Sequence, residues 1–521
     1  MAHAIGPTQY FLSRAEITNL IELVRQVAVL ISERSLPEID KMKSLIVWSA
    51  VVLSPLLALA QNYDLVIQGG RVIDPETGLD AVRSVGISQG RVKKISAESL
   101  DGKRVISAKG LVVAPGFIDL HQHDLNLESQ RLKALDGVTT ALEMEIGKPD
   151  VTAFLQSMEG HSLVNYGSTA SHPAARSLAF GTPVPQDSLL PKSGTAAAEK
   201  PASPEQIEAM KSRLRHELDN GALGVGMGLQ YTPGVTRWEV IEMFRLAAER
   251  GLPVYTHVRS NGKIEPGSNI ESVSEVIGAA AITGASLHIV HINSSCGAQA
   301  LDCLGLIAGA RARGLAVTVE AYPYEAAMTY INSARYNPGW QEKSGATYHD
   351  LMLPETGERL TKERFDELHN SSDPRRVILF SNSMENVDPV LRNPLVMVAS
   401  DGEEGHPRNA GTYCRVLARY VRSQGTLTLM DAIRKMSLMP AQVLERSTSA
   451  ARLKGRLQEG ADADVVIFDP QTVTDRATYQ HPMEPSVGVE YLLVGGVVLV
   501  DKGKLMEGVF PGKAIVGTMK R

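Results

Sequence analysis

The sequence predicts an α/β chain: a (β/α)8 TIM-type barrel with a small β-sandwich built from both chain ends. Three observations carry this reading. Between about Ala114 and Met439, short apolar runs alternate with longer helical patterns, which is the texture of βα units around a parallel sheet. Both ends, Tyr63 to Val113 and Ala463 to Val500, consist instead of β-branched runs separated by Gly and Pro turns. Finally, several apolar runs of the middle section close on a histidine, and the C-terminal rim of such a barrel is where its active site is built.

Taken in order, residues 1–41 form an upstream segment, and the uncharged run from Leu45 to Ala60 follows Met42-Lys43. That run is shorter than the roughly 18 to 20 apolar residues that span a bilayer. It ends on Ala58-Leu59-Ala60, small residues in signal-peptidase positions. Residues 42–60 are therefore expected to be a signal peptide with translation starting at Met42, leaving a periplasmic or secreted protein with no stable membrane span. Residues 61–113 supply the first part of the sandwich, 114–450 the barrel with an insertion at about 330–375, and 451–521 the second part of the sandwich. Eight barrel strands are expected at Gly116–Leu120, Thr139–Leu142, Leu163–Gly167, Gly224–Met227, Pro253–Thr256, Ser286–Val290, Val377–Phe380 and Val396–Ala399. Val317–Ala321 makes a ninth candidate, so at least one of these runs lies outside the barrel. The stretches Thr182–Pro204 and Tyr330–Pro374 read as surface excursions able to act as lids.

The 521 residues carry 53 Lys+Arg against 58 Asp+Glu, a net charge of -5, with 43% hydrophobic residues. This balance excludes a disordered or collagen-like chain and provides no basic field for nucleic acid. Cys296, Cys303 and Cys414 are an odd, scattered set; each is expected as a small buried residue outside any disulfide framework.

The chemistry concentrates in Phe117-Ile118-Asp119-Leu120-His121-Gln122-His123-Asp124. Side chains two apart in a strand share a face, so His121 and His123 can reach one metal ion. His257 and His291 each end a further strand, and Asp401 ends the last one. Four rim histidines beside a carboxylate point to a metal-activated water with Asp401 as general acid/base.

These segments resemble the amidohydrolase superfamily, and within it the N-acyl-D-amino-acid deacylase (D-aminoacylase) group. The resemblance runs from Tyr63 to the C-terminus. It rests on Pro115-Gly116-Phe117-Ile118-Asp119-Leu120-His121-Gln122-His123, Gly137-Val138-Thr139-Thr140, Gly228-Leu229-Gln230-Tyr231-Thr232-Pro233-Gly234, Tyr322-Pro323-Tyr324, Ser400-Asp401-Gly402 and His406-Pro407-Arg408. It implies one or two zinc ions per chain held by His121, His123, His257, His291 and Asp401, and a small-molecule amide substrate. It places a substrate-carboxylate clamp on Arg408 and further substrate contacts on His172, Tyr231, Tyr322 and Asn293.

Two departures from the group are visible. The segment that supplies a cysteine ligand in the group reads Ala141-Leu142-Glu143-Met144-Glu145-Ile146-Gly147, so a carboxylate, Glu145 rather than Glu143, is expected to bridge the metals. Asn293 stands where the group commonly has a substrate-binding lysine. The expected activity is hydrolysis of a linear amide such as an N-acyl amino acid or a peptide-like compound, with the D configuration implied by the resemblance. Cyclic-amide hydrolysis or deamination is the alternative, disfavoured because Arg408 suits a free carboxylate; a catalytically inactive binding barrel is disfavoured because the metal set is complete.

Overall fold

The computed structural model describes residues 63–185, 189–371 and 373–518. The signal peptide expected at 42–60 lies outside the described residues.

Eight parallel strands form the central sheet: β1 (Phe117–Asp119), β2 (Val138–Lys148), β3 (Asn165–Ser171), β4 (Val225–Gly228), β5 (Val254–His257), β6 (Leu287–Ile289), β7 (Val317–Ala321) and β8 (Val396–Val398). Each pairs with the next in parallel register. The last strand returns to the first just beyond their ends. Ser400 N donates to Asp119 Oδ1 at 3.0 Å, and Gly402 N donates to His121 O at 3.1 Å. These strands are covered on both faces, so nearly every residue in them is buried, the polar residues of β2 and β3 included.

The helices between strands are specified by the same sequence logic. In Pro204–Asp219, Ile207, Met210, Leu214 and Leu218 form one buried stripe at helical spacing, and Ser203 and Gln206 close a reciprocal cap at its start. Thr236 caps Arg237–Arg250, which stops at Gly251 in the left-handed conformation (φ 67°).

The run Val377–Phe380, expected in the barrel, lies outside it, and Val317–Ala321 takes the barrel place. Arg376–Leu379 pairs antiparallel with Ala327–Tyr330 and with Leu351–Met352 in a three-stranded sheet. A four-residue apolar run fits either sheet, so the run alone does not encode its partner. The insertion also departs from an irregular excursion: Ile331, Tyr336, Trp340, Leu351, Phe365 and Val377 belong to a core of its own.

Both chain ends meet in one nine-stranded sheet, as the shared texture predicts. The junction is an antiparallel pairing of Val112–Pro115 with Val465–Phe468. Leu65, Val85, Val113, Val465 and Leu493 are among the residues packed in its interior.

Cys296 and Cys303 are joined in a disulfide, in place of the separate buried thiols expected; Cys414 is free and buried. The pairing arises because the short helix Ile292–Cys296 ends at Gly297 (φ 50°) and the chain turns directly into the helix Ala300–Ala312. Among the described residues, no helix is long and apolar enough to cross a membrane.

Candidate metal centre

The C-terminal ends of five barrel strands converge on one carboxylate. Glu145 Oε2 lies 3.1 Å from His121 Nε2 and 3.0 Å from His123 Nε2. Its other oxygen, Oε1, lies 2.5 Å from His257 Nδ1 and 3.2 Å from His291 Nε2. Asp401 Oδ1 completes the first group, 3.3 Å from His121 Nε2 and 3.2 Å from His123 Nε2. His121, Glu145, His257, His291 and Asp401 are buried, and His123 is partly so.

Each histidine is oriented from behind. Glu320 on β7 places Oε1 2.6 Å from His121 Nδ1 and Oε2 2.9 Å from His288 Nε2. Glu143 holds His123 Nδ1 at 2.7 Å and accepts from the Ile146 amide at 3.1 Å. His291 Nδ1 meets Ser295 Oγ at 3.2 Å, and His257 Nε2 meets Gln230 Oε1 at 2.9 Å. Partners of this kind fix ring orientation and tautomer in metal sites. His291 (φ 31°) and Asp401 (φ 52°) both occupy the left-handed region. Such conformations cost about 1–3 kcal/mol each and cluster at functional sites.

The electrostatics fit a cation. Burial opposes protonation of His121, yet Asp401 and Glu145 push its pKa well above the ordinary value; His123 behaves likewise beside Glu143 and Asp401. Burial would raise the carboxyls of Glu145 and Asp401, but His121 and His257 hold Glu145, and Arg408 with His121 and His123 holds Asp401, below the usual range. Burial, reinforced by His291, takes His257 down to about 4, so its imidazole is neutral and able to ligate. The donor atoms of His121, His123, Glu145 and Asp401, and those of Glu145, His257 and His291, form two groups, each within 4.8 Å, that share Glu145. Imidazole nitrogens with carboxylate oxygens in such groups suit zinc or a similar divalent ion.

Above the centre lies a cleft walled by Tyr231, Leu190, Arg335, Arg376 and Glu403 among others. Arg376 is engaged by Asp124, with nitrogen–oxygen distances of 2.7 and 2.9 Å. Arg335 donates to neutral acceptors: Gln230 Oε1 at 2.6 Å and, with the Asn261 amide presenting its oxygen, Asn261 at 3.0 Å.

A model of the amidohydrolase family matches residues 112–499. The chain belongs to the amidohydrolase family. Among curated proteins it is 30% identical over 473 residues to an N-acyl-D-glutamate deacylase of Alcaligenes xylosoxydans xylosoxydans, covering 84% of this chain and 94% of that protein. A D-aminoacylase of the same organism is 29% identical over 477 residues, with the same coverage of both chains. A dihydroorotase of Citrifermentans bemidjiense is 26% identical over 434 residues, covering 78% of this chain and 90% of that protein. Among solved structures, the N-acyl-D-glutamate deacylase of Bordetella bronchiseptica, crystallised with zinc and a phosphonate inhibitor, superposes with a TM-score of 0.73 at 26% identity. That match covers 88% of this chain and all (100%) of the other. This amidohydrolase is thus a metal-dependent type of enzyme related to N-acyl-D-amino-acid deacylases, hydrolases of carbon–nitrogen bonds other than peptide bonds.

Within the amidohydrolase barrel, the expected ligand residues are brought together, whereas most of the expected substrate contacts are buried behind the cleft. Tyr231 faces the cleft. Arg408 is wholly buried: Nη1 approaches Asp401 Oδ2 at 2.9 Å, out of line for a hydrogen bond, and Nη2 lies 3.4 Å from Glu403 Oε2. Its guanidinium also stacks 4.7 Å from the Tyr322 ring centre. Asn293 is buried and brackets the Tyr322 backbone, donating to its carbonyl at 3.1 Å and accepting from its amide at 3.3 Å. His172 begins the helix after β3 and pairs with Glu239 at 2.9 Å beside Arg176, away from the cleft-lining residues. Arg408, Tyr322, Asn293 and His172 thus make their contacts within the protein and are not among the residues that line the cleft.

Glu320, His288, Gln230, Arg335 and Arg376 were not singled out by the sequence. Glu320 carried a usable signal, a carboxylate inside a buried strand. His288 likewise lies inside a buried strand, whereas Gln230, Arg335 and Arg376 sit in segments whose path over the rim only the tertiary structure defines.

Proposed function

We propose that this chain is an exported, zinc-dependent amidohydrolase that removes the acyl group from an N-acylated amino acid of D configuration, preferably one with an acidic side chain. The observation that carries the proposal is Glu145, one carboxylate set between two ligand groups with Asp401 at its side. His121, His123, Glu145, His257, His291 and Asp401 would hold the metal. When bound, a divalent cation supplies Lewis acidity, polarising carbonyl oxygens and making water acidic near neutral pH.

The remaining work falls to the chain's own groups. Arg408 and the neighbouring imidazoles keep Asp401 ionised, ready to take a proton from the attacking water and return it to the departing amine. Arg408 also fixes the carboxylate's orientation through Oδ2, leaving Oδ1 toward His121 and His123. Met328 and Tyr330, from the sheet of the insertion, together with Leu190, wall the cleft and limit water around the reacting amide. Among the described residues Arg335 has no carboxylate within ion-pair distance, so an anionic group on the substrate is its natural partner. The D configuration follows the names of the relatives. Export is supported by the apolar run ending at Ala60 and by the Cys296–Cys303 disulfide, a bond at home in oxidising compartments.

The test is release of primary amine from N-acetyl-D-glutamate, N-acetyl-D-aspartate, N-acetyl-D-leucine and N-acetyl-L-glutamate, with hydantoins in parallel, before and after chelation and zinc repletion. Zinc-restored turnover greatest for the acidic D-substrates is expected. Ring opening without linear deacylation would transfer the site to cyclic amides.

A further inference from the structure

We propose that Ser295 and the Cys296–Cys303 disulfide are a positioning device for His291, and that opening the disulfide selectively loosens the Glu145–His257–His291 half of the centre. This rests on the metal-centre reading above.

The four histidines are not supported alike. His121 and His123 are backed by Glu320 and Glu143, which lie on barrel strands, and His257 is the last residue of β5. His291 instead lies beyond the end of β6, at φ 31° and ψ 57°, and starts a helix of five residues. A left-handed histidine stays in place only where its surroundings fix it, and one helical turn has little stability of its own.

The surroundings that fix it are few and specific. One turn on, Ser295 Oγ lies 3.2 Å from His291 Nδ1. The next residue, Cys296, is held through its carbonyl by Asn269 Nδ2 at 3.1 Å and through its sulfur by Cys303. Cys303 is buried in the first turn of the helix Ala300–Ala312, so the disulfide ties the ligand-bearing turn to a main barrel helix across Gly297. Asn382 Nδ2 reaches the same turn from the other side, at 2.8 Å from the Asn293 carbonyl. Cys296 also lines a cavity bordered by Ser294, Asn382 and Asn386, while both cysteines of the bond are buried.

A water-soluble trialkylphosphine opens the bond cleanly. Phosphorus takes up an oxygen from water and is oxidised to the phosphine oxide, while the S–S bond breaks and the two sulfurs leave as thiols carrying the water's protons. Thiols titrated after denaturation should rise from one, Cys414, to three.

The experiment follows zinc release from the full-length holoenzyme to a chromogenic chelator, with and without the phosphine. Reduction should speed release of one ion at least ten-fold and leave the other unchanged. The double variant Cys296→Ser/Cys303→Ser should show the fast phase without phosphine, and Ser295→Ala should show a smaller acceleration with the disulfide intact. Because reduction acts on protein already folded, a variant that fails to fold does not remove the test. Equal acceleration of both ions, the mark of general loosening, would overturn the proposal, as would unchanged release after thiols reach three. Oxidised protein that binds no zinc would overturn the metal-centre reading itself.

Discussion

Replacing Glu145 by alanine removes the one carboxylate whose oxygens face both ligand groups, at 3.1 and 3.0 Å on one side and 2.5 and 3.2 Å on the other. Losing even a group that only orients a ligand costs metal sites 10–100-fold in affinity. A donor lost from each of two ions belongs at the upper end, about 100-fold, or roughly 2.7 kcal/mol per ion. Glu143→Ala is the matched comparison: it removes the 2.7 Å partner of His123 Nδ1 and an acceptor for the Ile146 amide, but touches only one group. Its expected cost is about ten-fold for one ion. The assay is zinc per chain after dialysis against chelator-buffered zinc over a range of free concentrations. Two ions per chain in the wild type should fall toward one in Glu145→Ala at free zinc that still saturates Glu143→Ala. Unchanged stoichiometry in Glu145→Ala, or loss confined to Glu143→Ala, would refute the bridging role.

Arg335→Ala should lower kcat/KM for acidic N-acyl amino acids at least ten-fold, the value of one charge-assisted hydrogen bond at about 1.5–3 kcal/mol, with little change for N-acetyl-D-leucine; equal losses for both substrates would remove Arg335 as a reader of charge. Burial pushes the Asp136 carboxyl from 3.8 up to about 6, so the folded chain holds this proton more tightly than the unfolded one. Its contribution to stability is therefore full below about pH 4 and lost as pH rises through 6, roughly 3 kcal/mol at most; urea unfolding of Asp136→Asn should show a flatter pH dependence between 4 and 6 than the wild type, and an unchanged slope would count against it. Expressed from Met42 in a Gram-negative host, the mature chain should begin at Gln61, which N-terminal sequencing checks directly; a retained Met42 on soluble cytoplasmic protein would exclude export.

The parts legible in the sequence are those written in local periodicity and residue type. The spacing of His121 and His123 places both on one strand-end face, and the apolar runs before His257 and before Asp401 identify them as strand-end residues. The shared texture of the ends anticipates the pairing of Val112–Pro115 with Val465–Phe468. What depends on tertiary path was not legible. Val377–Leu379 is as apolar as a barrel strand, and only its pairing with Ala327–Tyr330 assigns it elsewhere. Arg408 has the chemistry of a carboxylate clamp, but its closeness to Asp401 and Glu403 depends on how the loop after β8 folds back. The Cys296–Cys303 pairing likewise depends on a turn at Gly297 that spacing alone does not specify.

The central claim, a metal centre bridged by Glu145, is tested most directly by anomalous diffraction on both sides of the zinc absorption edge from crystals grown with zinc. Two peaks are predicted on either side of the Glu145 carboxylate, one against His121, His123 and Asp401 and the other against His257 and His291. A single peak remote from Glu145, or no peak in zinc-saturated protein that hydrolyses its amide substrate, would contradict it.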